Sequence, residues 1–384
     1  MNAEGPGGAP PAIVAEIATR TDAYFNRTRR IVTRFGDQRA TYAIFLRRPV
    51  VAAPRLMLDW LAEAGRALGE RFEVESLYPE GAWAGAGEPL VYLTGSLAAL
   101  SPLETLLLQK IGAPCVAAHN AYQMCLALPG AGFVAMEARH CAGAEMQEMM
   151  AYAAAVGSAA ARREGARGFI GNANDATAHF FGNDAGLGTM PHSLIGYAGS
   201  TVRAAEMFHE TFAGEALTVL VDYFGREITD ALAVCRRFPD LAAASRLKIR
   251  IDTHGGRFLE GLDPAASYAA LERHAPGAIR RYRSESELRF LVGTGVSAAA
   301  VWRMREALDE AGFPAVGIVV SSGFSVDKCR VMADAKAPID LVGTGSFIPE
   351  AWSETYATAD VIAYAGEPRV KLGREFLLRA NRGT

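Results

Sequence analysis

From about residue 132 the chain keeps a rhythm that few folds accept. Short apolar runs recur: "GFVAM" (132–136), "GFIG" (168–171), "LTVLVD" (217–222), "LKIRID" (247–252), "RFLVG" (289–293), "AVGIVVSS" (315–322) and "IDLVGTG" (339–345). Amphipathic stretches such as "VSAAAVWRMREALDEAG" (296–312) and "SVDKCRVMADA" (325–335) separate them. A buried strand followed by a helix, repeated, predicts βα units and a parallel sheet. Seven such runs, with a further contribution near residue 190, suit a TIM-like βα barrel. A doubly wound sheet is the rival, but its GxGxxG fingerprint is missing after the first strand.

Earlier residues lack this alternation. "ATYAIFLRRP" (40–49) alternates and stops at a proline, as a strand does, whereas "RLMLDWLAEAGRALGERF" (55–72) has helical spacing. "PLVYLTGSLAAL" (89–100) reads as a strand entering a turn. In "SPLETLLLQKIGA" (101–113), Ser101, Pro102 and Glu104 together mark a helix start. The tail "DVIAYAGEPRVKLG" (360–373) reads as two strands about a Gly366-Glu367 turn, pairing with the N-terminal domain. The expected organisation is a disordered lead (1–15), an α+β domain built from 16–130 plus 350–384, and an α/β barrel domain over 131–349.

Charge narrows the partners. Lys+Arg number 39 against 42 Asp+Glu, a net charge of -3, which argues against nucleic acid or an anionic membrane as the main partner. Cys115, Cys125, Cys141, Cys235 and Cys329 form no CxxC and are odd in number, so neither a disulfide framework nor a zinc site is expected. His140, His179 and His254 show no HExxH-type spacing. The N-terminus has no basic stretch followed by an apolar core, and no run approaches the ~18 apolar residues of a membrane helix. The expected location is the cytoplasm.

Nearly every apolar run ends on polar residues or glycine. Arg139 and His140 follow the first, and Asn172, Asn174 and Asp175 the second. "GLGTMPHS" (186–193) brings Thr189, His192 and Ser193; then come Asp222 with Tyr223, Arg250 with Asp252, Gly293-Thr294, Ser321-Ser322-Gly323 and Gly343-Thr344-Gly345-Ser346. In a βα barrel the loops after the strands share one face, where catalytic groups gather. Any one of these residues is ordinary turn chemistry, and the Arg250/Asp252 pair an internal ion pair; the coincidence along the chain is what points to a site. "SSGF" and "GTGS" are short, glycine-rich and set before expected helices, a pattern that binds phosphate through backbone N–H groups.

Taken in order, TDAY (21–24), PLETLLL (102–108), ARH (138–140), GNANDATAHFFG (171–182), GTMPHS (188–193), VLVDYFG (219–225), RID (250–252), SSGF (321–324) and GTGS (343–346) resemble the nicotinate phosphoribosyltransferases over almost the whole chain. The resemblance implies an irregular TIM-like barrel with an appended α+β open-faced sandwich domain, assembled as a homodimer with active sites near the subunit interface. It implies transfer of phosphoribose from phosphoribosyl pyrophosphate to nicotinate in NAD biosynthesis, with Mg²⁺ and ATP as co-substrate acting through a phosphohistidine. On this resemblance His192 is the phosphorylated histidine and Thr189 its neighbour in the motif. Tyr24 stacks on the pyridine ring, Arg250 meets the nicotinate carboxylate, and Gly343 to Ser346 hold the 5-phosphate. Asp222 or Asp252 would stabilise the positive charge that develops on the sugar, with Asp252 also the one position suggested for metal. Arg139, His140, Ser193, Ser321, Ser322 and Gly323 complete the expected substrate contacts.

Three positions depart from the family pattern. The usual Arg-Arg is Arg139-His140, the usual Ser-Gly-Asp after the aspartate is Thr253-His254-Gly255-Gly256-Arg257, and the last loop ends in Ser346 rather than threonine. Arg257 offers a charge for a phosphate or a second carboxylate, which keeps quinolinate, with decarboxylation, among the candidate substrates. Nicotinamide is a third, and a nucleotide-binding relative without catalysis a fourth. A lysine-dependent aldolase barrel is disfavoured, because no strand end carries a lysine.

Overall fold

The computed structural model describes residues 12–378. Most of the expected lead lies outside the described residues. Its last positions, 12–15, are not disordered: they open the helix Ala12–Arg20, which buries Ile13 and Ile17. The chain forms two compact units, Met1–His119 with Ala351–Thr384, and Asn120–Glu350.

The first unit begins with helices Ala12–Arg20 and Ala23–Phe35 and strands β1 (Arg39–Leu46) and β2 (Val50–Val51). The helix Arg55–Leu68 follows and stops at Gly69, whose left-handed φ of 69° only glycine adopts without strain. Next come β3 (Glu73–Ser76), β4 (Trp83–Ala84) and β5 (Pro89–Ser96). The helix start expected at Ser101 is displaced: Ser96 Oγ already caps a turn over Leu97–Leu100, and Ser101–Leu103 is a tight turn leading into the helix Glu104–Ala127.

The second unit carries the βα rhythm. Its strands are β6 (Gly132–Ala135), β7 (Phe169–Asn172), β8 (Leu217–Leu220), β9 (Leu247–Ile251), β10 (Gly317–Val320) and β11 (Leu341–Thr344). They form one parallel sheet in the order β7-β6-β11-β10-β9-β8, the sheet of a TIM-like α/β fold. Ile249, Ile251, Ile318, Val320 and Val342 are fully buried, and the Phe133 and Phe169 rings pack 5.3 Å apart. Burial on both faces explains why these strands read as apolar runs. Because all six run the same way, their C-terminal ends lie along one edge.

Two expected strands do not form. "RFLVG" lies in the helix Glu285–Val292, started by a capping box in which Ser284 Oγ accepts from Glu287 N–H while the Glu287 side chain reaches back to Ser284 N–H. A five-residue apolar run has no readable period, so the cap upstream decides it. The segment near 190 is irregular chain leading into the helix His192–Ala198.

After the second unit the chain returns as β12 (Ala357–Tyr364) and β13 (Glu367–Pro368). The expected hairpin forms, one residue earlier than read: Ala365 and Gly366 both have positive φ, as a tight two-residue turn requires. β12 lies antiparallel to β1, and the first unit's sheet runs β13-β12-β1-β5-β3.

Candidate active site

The parallel edge of the second unit encloses a cavity of about 380 Å³. Arg139, His140, His192, Asp222, Arg250, Asp252, Ser321, Ser322, Gly323 and Gly343 through Ser346 all line it. Thr189 touches it indirectly, through Arg250. Ser193, exposed on the helix that His192 begins, is not a lining residue. Tyr24 belongs to the first unit, where it is 59% exposed and its hydroxyl donates to Asp22.

Arg250 shows how the sheet builds this place. Leu247, Ile249 and Ile251 bury one side of β9 completely, which turns Arg250 to the other. There Nε donates to Ser321 Oγ (3.0 Å), Nη1 to Thr189 Oγ1 (2.9 Å) and Nη2 to Asp252 Oδ2 (3.1 Å). Of the five N–H groups of a guanidinium, these contacts leave one on each terminal nitrogen for a ligand. The side chain is held rigidly, which is the arrangement that recognises a carboxylate or phosphate.

Asp222 follows β8 and is mostly buried; His192 Nε2 stands 3.2 Å from each of its oxygens. Arg257, offered by the sequence as a charge for a phosphate or second carboxylate, is engaged by the protein itself. Its Nη2 pairs with Glu227 at 2.5 Å and also donates to the Asp222 carbonyl at 2.9 Å. Glu227 is fully buried and accepts from Thr253 Oγ1 as well, so the charge of Arg257 is spent inside the protein.

The two glycine-rich turns differ. "SSGF" ends β10 and precedes the helix Val326–Asp334, capped by Ser325. "GTGS" ends β11 and is followed by turns, not by the expected helix. Gly345 packs so tightly that a Cβ there would stand 2.4 Å from the Met136 carbonyl oxygen. Thr344 Oγ1 turns away to donate to the Phe324 carbonyl, so one turn is tied to the other.

Four lining residues were not singled out as site residues from sequence: Met136, His254, Gly255 and Phe324. His254 carried a signal, since it stands in the segment that departs from the family pattern. Its Nδ1 accepts from Gly256 N–H, which leaves the ring proton on Nε2. Two buried ionisable groups were also missed. Glu137, next to Arg139 and His140, has no hydrogen-bond partner for either carboxylate oxygen among the described residues, and burial pushes its carboxyl up. Lys328 lies beneath "SSGF", and burial pushes it down to about 8.

Among the described residues no cluster of three or more His, Cys, Asp or Glu is placed to hold a metal, and no helix is long and apolar enough to cross a membrane. No family model matches the chain, and no curated protein matches its sequence. Solved structures do match. Nicotinate-nucleotide pyrophosphorylase from Pyrococcus furiosus aligns with 97% of this chain and 81% of its own, at 21% identity and a TM-score of 0.71. The chain shares its fold. Human nicotinic acid phosphoribosyltransferase aligns over 92% and 76%, at 18% identity and a TM-score of 0.58. The nicotinate-nucleotide pyrophosphorylase of Ehrlichia chaffeensis aligns over 91% and 96%, at 13% identity and a TM-score of 0.55.

Proposed function

We propose that the protein transfers phosphoribose from phosphoribosyl pyrophosphate to nicotinate, giving nicotinate mononucleotide and pyrophosphate, in NAD biosynthesis or salvage. The observation that carries this reading is Arg250: a guanidinium fixed by three contacts, opening on a cavity that also holds two glycine turns and two aspartates. The fold shared with a nicotinic acid phosphoribosyltransferase and nicotinate-nucleotide pyrophosphorylases supports the same class.

In this reading Arg250 takes the nicotinate carboxylate and orients the ring. The pyridine nitrogen forms a bond to ribose C1 as the C1–O bond breaks, and pyrophosphate leaves with the electron pair. Positive charge grows on the sugar meanwhile, and Asp222 and Asp252 are the carboxylates in the cavity able to stabilise it. The 343–346 turn takes the 5-phosphate through its backbone.

Magnesium characteristically binds one or two carboxylates and completes its shell with water and substrate phosphates. The donor set fits that mode: Asp222 and Asp252 share the cavity, and no third acidic residue among those described lines it. These two residues would hold the ion, which supplies neutralisation of the pyrophosphate charge.

His192 is the group for ATP coupling. Asp222 accepts the Nε2 proton, leaving the lone pair on Nδ1 to take the γ-phosphoryl of ATP, with ADP leaving. The expected homodimer belongs to this reading too and is checked by sedimentation.

A decarboxylating reaction with quinolinate is the second reading, favoured by Arg139, which lines the same cavity as Arg250 and offers positive charge for a second carboxylate. One experiment separates these: nicotinate, nicotinamide and quinolinate assayed side by side, with and without ATP. ATP-stimulated turnover of nicotinate supports the proposal, CO₂ release from quinolinate replaces it, and tight mononucleotide binding without turnover favours a non-catalytic relative.

A further inference from the structure

Lys328 is a buried ammonium with one side-chain hydrogen bond among the described residues. It is 5% exposed, its Nζ donates to the Ser322 carbonyl at 2.7 Å, and it lies 4.3 Å from the Phe324 ring centroid. Asp252 and Arg289 are the charged groups that act on it, and the Phe290 ring lies beyond at 5.8 Å.

Ser322 and Gly323 both line the cavity and are exposed, while Ser322 holds a left-handed φ of 77°, strained for a residue with a side chain. Such a conformation persists only where its surroundings impose it. The Lys328 contact is one of those that hold this turn. No peptide bond among the described residues is cis, so the carbonyl of Ser322 and the N–H of Gly323 point in opposite directions. With the carbonyl drawn inward to the buried ammonium, the Gly323 N–H is aimed outward, on the cavity side. It has no acceptor among the described residues.

We propose that Lys328 is a positioning residue for an anion site: by holding the Ser322 carbonyl inward it presents the Gly323 N–H to a phosphate oxygen of the substrate. This rests on the phosphoribosyl reading. The sharing of an oxyanion by an oriented amide and the nearby turn is the ordinary way backbone binds phosphate. Lys328 touches no substrate and acts only through the peptide.

The test uses the full chain and the variant Lys328→Met, of similar length without the donor. Calorimetric affinity for ribose 5-phosphate and for inorganic phosphate is measured first, since neither depends on turnover. A loss of roughly tenfold or more, as expected for one hydrogen bond to a charged group, supports the proposal. In the nicotinate assay the KM for phosphoribosyl pyrophosphate rises by a similar factor while that for nicotinate does not; equal rises in both overturn it. If the variant does not fold, the wild-type chain alone decides: the Gly323 amide proton resonance moves downfield on titration with inorganic phosphate, and an unmoved resonance overturns the proposal. Wild-type protein that binds neither phosphate overturns the phosphoribosyl reading as well, whereas binding that the variant retains overturns only the role of Lys328.

Discussion

His192 Nε2 faces both oxygens of Asp222 at 3.2 Å. An ionised carboxylate only accepts hydrogen bonds, so this one contact fixes the tautomer of the ring and leaves Nδ1 as the nucleophilic nitrogen. His192→Ala is expected to abolish stimulation by ATP while a slow ATP-independent turnover persists. Asp222→Asn lowers both rates, the stimulated one by at least about 100-fold, because an amide can donate to the ring and invert the tautomer. Steady-state rates with and without ATP check both; unchanged stimulation in the alanine variant rules out a phosphohistidine at this position.

Arg250 makes three side-chain contacts before any ligand arrives. A lysine ammonium cannot keep these and also clamp a carboxylate with two parallel bonds. Arg250→Lys therefore raises the KM for nicotinate by about 10–100-fold, from the ~1.5–3 kcal/mol of hydrogen bonds to a charged group. The KM for phosphoribosyl pyrophosphate changes far less. Equal effects on the two substrates would count against the clamp.

Much of this arrangement was legible, and for a physical reason. Leu247, Ile249 and Ile251 had to be apolar because their side of β9 is buried completely, so Arg250 and Asp252 at the end of "LKIRID" stood out against them. The failures have causes as definite. "RFLVG" was too short to show a period, and the Ser284–Glu287 cap, present in the sequence, was the better signal. Arg257 looked free because its partner, Glu227, lies on a different element and comes close only on folding. Lys328, three residues after the Ser325 cap, reads as an ordinary exposed first-turn residue; only the turn folded over it buries it. The order of motifs suggested one rim, but hydrogen-bond partners were beyond sequence.

The Arg257–Glu227 pair gives a stability prediction. Glu227 is fully buried, and removing Arg257 leaves its charge with only the neutral donors Thr253 Oγ1 and the Glu260 N–H. Arg257→Ala is expected to cost about 3 kcal/mol, the lower end for a broken buried pair because Arg257 itself is partly exposed. Replacing both residues with methionine costs less than the single change. Urea midpoints of wild type, Arg257→Ala and the double methionine variant check this; a double variant less stable than Arg257→Ala would overturn it.

Gly345 has a backbone conformation open to other residues, so its requirement is purely one of space. A methyl group there would meet the Met136 carbonyl at 2.4 Å and His140 Cδ2 at 2.9 Å. Gly345→Ala must push the 343–346 turn off the segment Met136–His140, at a cost of about 1–3 kcal/mol. Since this turn is assigned to the 5-phosphate, the KM for phosphoribosyl pyrophosphate rises with the loss of stability. A variant with unchanged melting temperature and unchanged KM would show that the turn has slack.

Burial pushes Lys328 to about 8, from an ordinary value near 10.5; Cys329 and Asp252 oppose the shift, and Arg289 adds to it. Between these values the unfolded chain holds a proton that the folded chain has released. Stability therefore rises with pH across that window, because the unfolded state binds more protons. Below pH 8 the buried charge is a constant burden on the fold. Lys328→Met carries no such burden, so the urea midpoint of the wild-type chain should gain on that of the variant from pH 8 to 10. Phosphate affinity runs the other way. A neutral amine is the weaker donor to the Ser322 carbonyl, so wild-type binding of ribose 5-phosphate should weaken above pH 8, while the already weak binding of the variant stays level. Parallel pH profiles for the two proteins would mean that Lys328 does not titrate between pH 8 and 10.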